Sequence, residues 1–198
     1  MENSFIRVSC IGDSITAGYG LDDWDDSYPN QLYYILEDKF VVNPNFGKSG
    51  AAVWHHSLLP YSSTKEYREA IGWNADALVI CLGANDTVYQ MTESFCQEFK
   101  DDYKDLIGNL KSRMPDVKVY VCKILPMFGK ENARFAAAVP TINELIESIS
   151  QTCGARLIDL NTPLASKANF FSDGLHPNEE GARIIAETVS TVLKQEFK

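Results

Sequence analysis

A chain of 198 residues, 45% hydrophobic and 23% charged, falls within single-domain range and is long enough to bury a sizeable core. Its formal net charge of −9 argues against nucleic acid or an anionic membrane surface as the main partner, because both reward basic patches. Five cysteines, an odd count without a Cys-x-x-Cys pair or a histidine cluster, point to reduced thiols and no metal site. The amino terminus lacks the basic-then-apolar pattern of a signal peptide, and no apolar run is long enough to span a bilayer. As written the sequence reads as cytoplasmic, whereas a chain relieved of a signal sequence would look the same and belong in the periplasm or outside the cell.

Residues 5–11 read as a short apolar strand that ends in Gly12-Asp13-Ser14. Glycine allows a tight turn there, and a serine at the carboxyl end of an early strand sits where open α/β sheets hold their ligands. That hydroxyl either caps the following helix or acts as a nucleophile. A helix is predicted over 28–39, then a strand over 40–45 that runs into the glycine-rich turn 46–50, where the Gly50 amide can approach a ligand with no side chain in the way. After a helix over 64–71, the apolar run 77–82 reads as a buried strand delivering Gly83-Ala84-Asn85-Asp86. The Asn85 amide is a ready donor to a developing oxyanion, although Gly and Asn serve ordinary turns equally well.

The segment 93–113 places Phe95, Phe99, Tyr103, Leu106 and Leu110 at three- and four-residue spacings, the stripe of a helix laid on a sheet. A strand over 117–124, a helix over 133–152, a strand over 156–158 and a helix over 178–196 complete the alternation. The pattern predicts an α/β protein with a five-stranded parallel sheet covered on both faces, in three layers α/β/α. Loops that follow parallel strands share one edge, so Ser14, Gly50, Asn85 and the segment after the last strand are expected to converge.

That last segment carries Asp173-Gly174-Leu175-His176-Pro177, in which one tight turn can join the carboxylate to the imidazole. Such a pair can take a proton from a serine, and the same string can also be an Asx-turn before a helix. The other two histidines, His55 and His56, follow Trp54 and have no carboxylate placed in sequence as Asp173 is.

Gly12-Asp13-Ser14, Asn45-x-Gly47-x-x-Gly50, Gly83-x-Asn85-Asp86 and Asp173-x-x-His176-Pro177 resemble, in order and approximate spacing, the four blocks of the SGNH hydrolases, the GDSL esterase/lipase family. The resemblance spans nearly the whole chain. It implies a single hydrolase domain over 1–198 with a flavodoxin-like fold. It also implies Ser14 as nucleophile, His176 as base, Asp173 as its orienting acid, and the Ser14 amide, Gly50 amide and Asn85 side chain as oxyanion hole, with no metal and no cofactor. Ile15 stands where the name-giving motif has leucine, a volume-conserving change.

The expected substrate contacts are Asp13, Trp54, His55 and Tyr89, with Tyr19, Trp24, the carboxylates Asp22, Asp23, Asp25 and Asp26, His56, Met127 and Phe128 along the rim. Aromatic rings interspersed with carboxylates suit a sugar. The expected activity is hydrolysis of a short, acetyl ester on a carbohydrate. A lysophospholipase- or thioesterase-type acyl hydrolase is the alternative, and a non-catalytic binding module on the same fold is the rival from another class. The Gly-x-Ser-x-Gly elbow of α/β-hydrolases is absent, and Gly12, Gly18 and Gly20 match neither nucleotide-binding glycine pattern.

Overall fold

The elements follow as β1 (Ile6–Gly12), α1 (Ser14–Ala17), α2 (Tyr28–Ile35), β2 (Phe40–Gly47), α3 (Lys65–Trp73), β3 (Ala77–Cys81), α4 (Glu93–Arg113), β4 (Lys118–Cys122), α5 (Ala133–Ala136), α6 (Val139–Cys153), β5 (Arg156–Ile158) and α7 (Glu179–Glu196), with short 3₁₀ turns between some of them. The computed structural model describes residues 5–36 and 39–197. All strand pairs are parallel, in the order β2-β1-β3-β4-β5. This is the flavodoxin-like order, and the direction in which strands are added to the sheet reverses between β1 and β3, where such sheets open a crevice at their carboxyl edge.

Alternation along the strands divides the interior in two. Leu78 and Ile80 of β3 join α4 and α6 in one core, built from Phe99, Tyr103, Ile107, Leu110, Ile142 and Ile146. Ala77, Val79 and Cys81 face the other way, against Tyr28 and Leu32 of α2 and Ile185, Val189 and Leu193 of α7. The sheet is therefore covered on both faces, as the alternating pattern implied. Among the described residues four α-helices begin on a side-chain cap: Asp13 accepts from Ile15 N, Thr64 from Tyr67 N, Thr92 from Phe95 N and Asn178 from Gly181 N. Each such cap stabilises its helix by about 1 kcal/mol relative to alanine.

Three departures from the sequence expectation have physical causes. The helix expected over 133–152 is two helices, because Pro140 lies in the first turn of α6 and cannot donate to a preceding turn. The helix expected over 28–39 stops at Ile35, where Leu36 turns into extended backbone and buries its side chain in the second core. Positions 37 and 38 of that expectation lie outside the described residues. Finally, α1 was not anticipated; it starts on Ser14 and makes the serine part of a helical turn rather than a loop.

At the carboxyl edge Gly12 pairs with Gly47 on one side and Cys81 on the other, so three strands end in register. A Cβ on Gly12 would collide with the Thr16 side chain and the Cys81 carbonyl. Only glycine lets β1 close against β3 while the chain folds back at once into α1. This close turn brings the segments after β1, β2 and β3 to one place.

Candidate active site

Ser14 opens α1, and the residue before it caps the helix: one Asp13 oxygen accepts from Ile15 N at 3.0 Å. Asp13 was expected among the substrate contacts, and the structure corrects this. It is 1% exposed, and burial, with the nearby Asp86 charge adding to it, pushes its carboxyl up to about 7. Its role is to start the turn on which Ser14 sits.

The Ser14 hydroxyl lies 3.0 Å from His176 Nε2. His176 Nδ1 lies 2.7 Å from one Asp173 oxygen, while the other accepts the His176 and Leu175 amides at 2.7 and 2.9 Å. Burial acts to raise the Asp173 carboxyl, but those two amides and the imidazole outweigh it and bring it down to about 2. At neutral pH Asp173 is thus a carboxylate that can only accept, which leaves the proton on Nδ1 and directs the Nε2 lone pair at Ser14. The turn carrying both is pinned at several points. Phe128 N donates to Gly174 O, Asn132 Nδ2 to Asp173 O, and Ser172 N to His176 O. The Tyr19 ring rests on the imidazole at 4.6 Å between centroids.

On the opposite side, the 3₁₀ turn Asn85–Val88 aims Asn85 toward the serine. One Asn85 N–H donates to Ala51 O at 2.9 Å, and the second hydrogen of the same NH₂ is left over. Gly50 adopts φ +80°, a left-handed conformation that side-chain-bearing residues rarely hold. Among the described residues, neither the Ser14 amide nor the Gly50 amide meets a protein acceptor. The Ser14 amide and the spare Asn85 hydrogen thus lie beside the serine with capacity for an incoming oxygen, and the Gly50 amide is a further donor without an acceptor.

Ser14 and Asn85 open onto a cleft of about 50 Å³ whose walls are Ile15, Val88, Met127, Phe135 and Leu175. Met127 was anticipated there. Val88, Phe135 and Leu175 were not, since their convergence depends on how the turn after β3 packs against α5. Arg134 makes that contact explicit by donating to Val88 O at 3.2 Å. Phe128 turns away and packs on Phe171 at 5.1 Å.

Trp54, His55 and Tyr89 do not line this cleft. The Trp54 indole donates to Glu98 at 2.9 Å, and its ring packs on Tyr89, Phe95 and His56. The Tyr89 hydroxyl accepts from Leu58 N. His55 pairs with Asp102 of α4 through its amide, at 2.7 Å, and its Nδ1, at 2.8 Å. These side chains moor the loop after Gly50 to α4. Tyr19, against His176, is 58% exposed; Trp24 is 57% exposed and is flanked in sequence by the exposed Asp22, Asp23 and Asp25.

Cys10, Cys81 and Cys122 are buried in the second core, and all five cysteines are free. Among the described residues, no three His, Cys, Asp or Glu side chains gather as a metal site requires, and no helix is long and apolar enough to cross a membrane.

The chain is 29% identical over 212 aligned positions to an acetylxylan esterase of Xylanibacter ruminicola, covering 96% of this chain and 43% of that protein. It thus spans less than half the length of that relative. The fold is shared with a family two carbohydrate esterase from Clostridium thermocellum solved with cellohexaose (TM-score 0.75, 18% identity, 97% of this chain and 64% of the other). It is shared too with a solved acetyl xylan esterase (TM-score 0.74, 19% identity, 95% and 100%). Residues 10–184 match the GDSL-like lipase/acylhydrolase family across most of the sequence. The chain therefore belongs to the GDSL-like lipase/acylhydrolase family of ester hydrolases.

Proposed function

We propose that the protein is a serine esterase that removes short acyl groups, acetyl above all, from a carbohydrate. The observation that carries this reading is the unbroken chain from Ser14 Oγ through His176 to Asp173, with contacts of 3.0 and 2.7 Å. A serine hydroxyl is a weak nucleophile until a base takes its proton, and here the base is oriented by a carboxylate that stays ionised. His176 accepts the Ser14 proton as Oγ attacks the ester carbonyl. The negative charge that develops on the carbonyl oxygen is met by the Ser14 and Gly50 amides and the spare hydrogen of Asn85. His176 then protonates the departing alcohol, and a water activated by the same imidazole hydrolyses the acyl-serine.

Substrate class rests on separate supports. The cleft beside Ser14, at about 50 Å³, is far below the roughly 300–1,000 Å³ of pockets that enclose drug-sized ligands, which favours a short acyl group. A long chain would need a continuous apolar groove. The exposed rings of Tyr19 and Trp24 suit the apolar face of a sugar, and a relative with 29% identity is named for acetylxylan. The test is a panel of aryl esters of increasing acyl length run beside acetylated xylan and acetylated simple sugars. A sharp fall beyond acetyl, with acetate released from the polymer, is the expected result. A rise toward long chains would replace this reading with a lysophospholipase or thioesterase activity.

A further inference from the structure

Asp86 follows Asn85 directly and is fully buried, yet among the described residues no cation pairs with its carboxylate. Both oxygens are taken instead by backbone amides of a loop far away in sequence. Oδ2 accepts from Val53 N and Oδ1 from Trp54 N, each at 3.0 Å. A buried carboxylate is costly unless its lone pairs are satisfied, so these two bonds hold the loop and the carboxylate to each other.

Val53 and Trp54 lie three and four residues beyond Gly50. Just before Gly50, Lys48 N donates to Gly12 O at 2.9 Å, which ties the loop to the end of β1 two residues from Ser14. No atom lies within 4 Å of the place a Gly50 Cβ would occupy, so packing on that side does not hold this peptide. Its position is set by the hydrogen bonds that flank it. Upstream the anchor is the strand that bears Ser14. Downstream, Ala51 N closes a turn on Lys48 O, Ala51 O is bound by Asn85, Ala52 exchanges bonds with Leu59 and Tyr61, the Val53 and Trp54 amides are bound by Asp86, and beyond them Trp54 and His55 reach α4.

We propose that Asp86 is a positioning residue of the oxyanion hole: through the Val53 and Trp54 amides its carboxylate holds the Gly50 N–H at a fixed place relative to the Asn85 amide. The proposal rests on the esterase reading given above. It explains why a carboxylate, and not an amide, follows Asn85. Asparagine would present one acceptor and one NH₂, and that NH₂ would face an N–H donor. Both loop amides need an acceptor, and only a carboxylate supplies two. Donors aimed at a developing charge must be held in advance, and a displacement of about 1 Å costs about a hundredfold in rate.

The test uses wild type, Asp86→Asn and Asp86→Ala, measuring kcat and KM on 4-nitrophenyl acetate, the inhibition constant of phenylboronic acid, and the unfolding temperature. Phenylboronic acid takes up the serine oxygen to form a tetrahedral adduct and so reports on the oxyanion hole. We expect kcat to fall by about ten- to a hundredfold in Asp86→Asn and further in Asp86→Ala, with KM changed less than about threefold and boronate affinity falling in step with kcat. A lowered unfolding temperature with unchanged kcat per folded molecule and unchanged boronate affinity would overturn the proposal and leave Asp86 a structural residue. Should Asp86→Ala not fold, the isosteric Asp86→Asn decides between these outcomes. Ser14→Ala on the same preparations separates the two levels. An inactive Ser14→Ala beside a fully active Asp86→Asn defeats the positioning role alone, while an active Ser14→Ala defeats the esterase reading on which it stands.

Discussion

Two histidine–aspartate pairs in this molecule share one local geometry and differ in what lies beyond them. In each, one carboxylate oxygen accepts the histidine's own amide, at 2.7 Å, and the other meets its Nδ1, at 2.7 Å in His176–Asp173 and 2.8 Å in His55–Asp102. His176 then presents Nε2 to Ser14 at 3.0 Å, in a turn buttressed by Tyr19, Phe128 and Asn132, and its side chain is 13% exposed. The His55 side chain is 44% exposed, and Nε2 reaches no hydroxyl among the described residues. An orienting carboxylate is therefore not what distinguishes the proposed base from the other histidine. The distinguishing feature is a hydroxyl at the second ring nitrogen, with free donors beside it.

Breaking each pair should separate them by orders of magnitude. Ser14→Ala and His176→Ala are expected to lower kcat by on the order of 10⁴-fold or more while leaving the unfolding temperature within a few degrees of wild type. His55→Ala should change kcat by less than about threefold, because Asp86 and Asn85 still hold the loop after Gly50. Equal damage from both histidine replacements in steady-state kinetics would mean that the wrong pair has been assigned. Next in size is Asn85→Ala, expected to lower kcat by about a hundredfold or more at nearly constant KM, since its spare hydrogen is used only when charge develops. A fully active, stable Asn85→Ala enzyme would remove it from the chemistry.

The walls of the cleft give a smaller, more selective effect. Phe135→Ala removes a ring from a space of about 50 Å³ and should raise the butyrate-to-acetate ratio of kcat/KM by about tenfold or more, the scale of one to three kcal/mol per misfitting group. An unchanged ratio on 4-nitrophenyl esters would place the acyl group elsewhere. Smallest is a pH effect on stability from the two carboxylates that flank Ser14 and His176. Asp13, raised to about 7 by burial, keeps a proton that the unfolded chain releases near pH 4. Its contribution is therefore full below about pH 4 and lost as pH rises through about 7. Asp173, lowered to about 2, contributes in the opposite sense, above about pH 4, and loses its effect as pH falls toward 2. Urea midpoints between pH 4 and 8 should decline in wild type. The decline should be shallower in Asp13→Asn, which can still cap α1, with a remainder from Asp86, itself raised to about 6 by burial. Identical slopes would show that Asp13 is ionised in the fold.

Much of this arrangement was legible from residue type and spacing. Ser14, Gly50, Asn85, Asp173 and His176 each follow a strand of a parallel sheet, and short loops at one edge bring such residues together whatever the details. The stripe from Phe95 to Leu110 likewise placed α4 without error, since Glu93–Arg113 is the helix observed. What escaped depends on tertiary neighbours. A buried capping aspartate and an exposed binding aspartate look alike in sequence, hence the misreading of Asp13. Asp102 lies 47 positions from His55, and only the packing of the loop on α4 joins them. Val88 and Phe135 become one wall because α5 is a separate helix. Pro140 is the signal for that break, and it stands in the sequence for a reader who weighs a proline against a helical pattern.

The claim that one serine and one of two histidine–aspartate pairs do the chemistry is tested most directly by a serine-reactive fluorophosphonate followed by mass mapping of the labelled peptide. The account predicts a single label on Ser14 in wild type and in His55→Ala, and none in His176→Ala. A label on any other serine, or labelling of Ser14 that persists at full rate in His176→Ala, would contradict it.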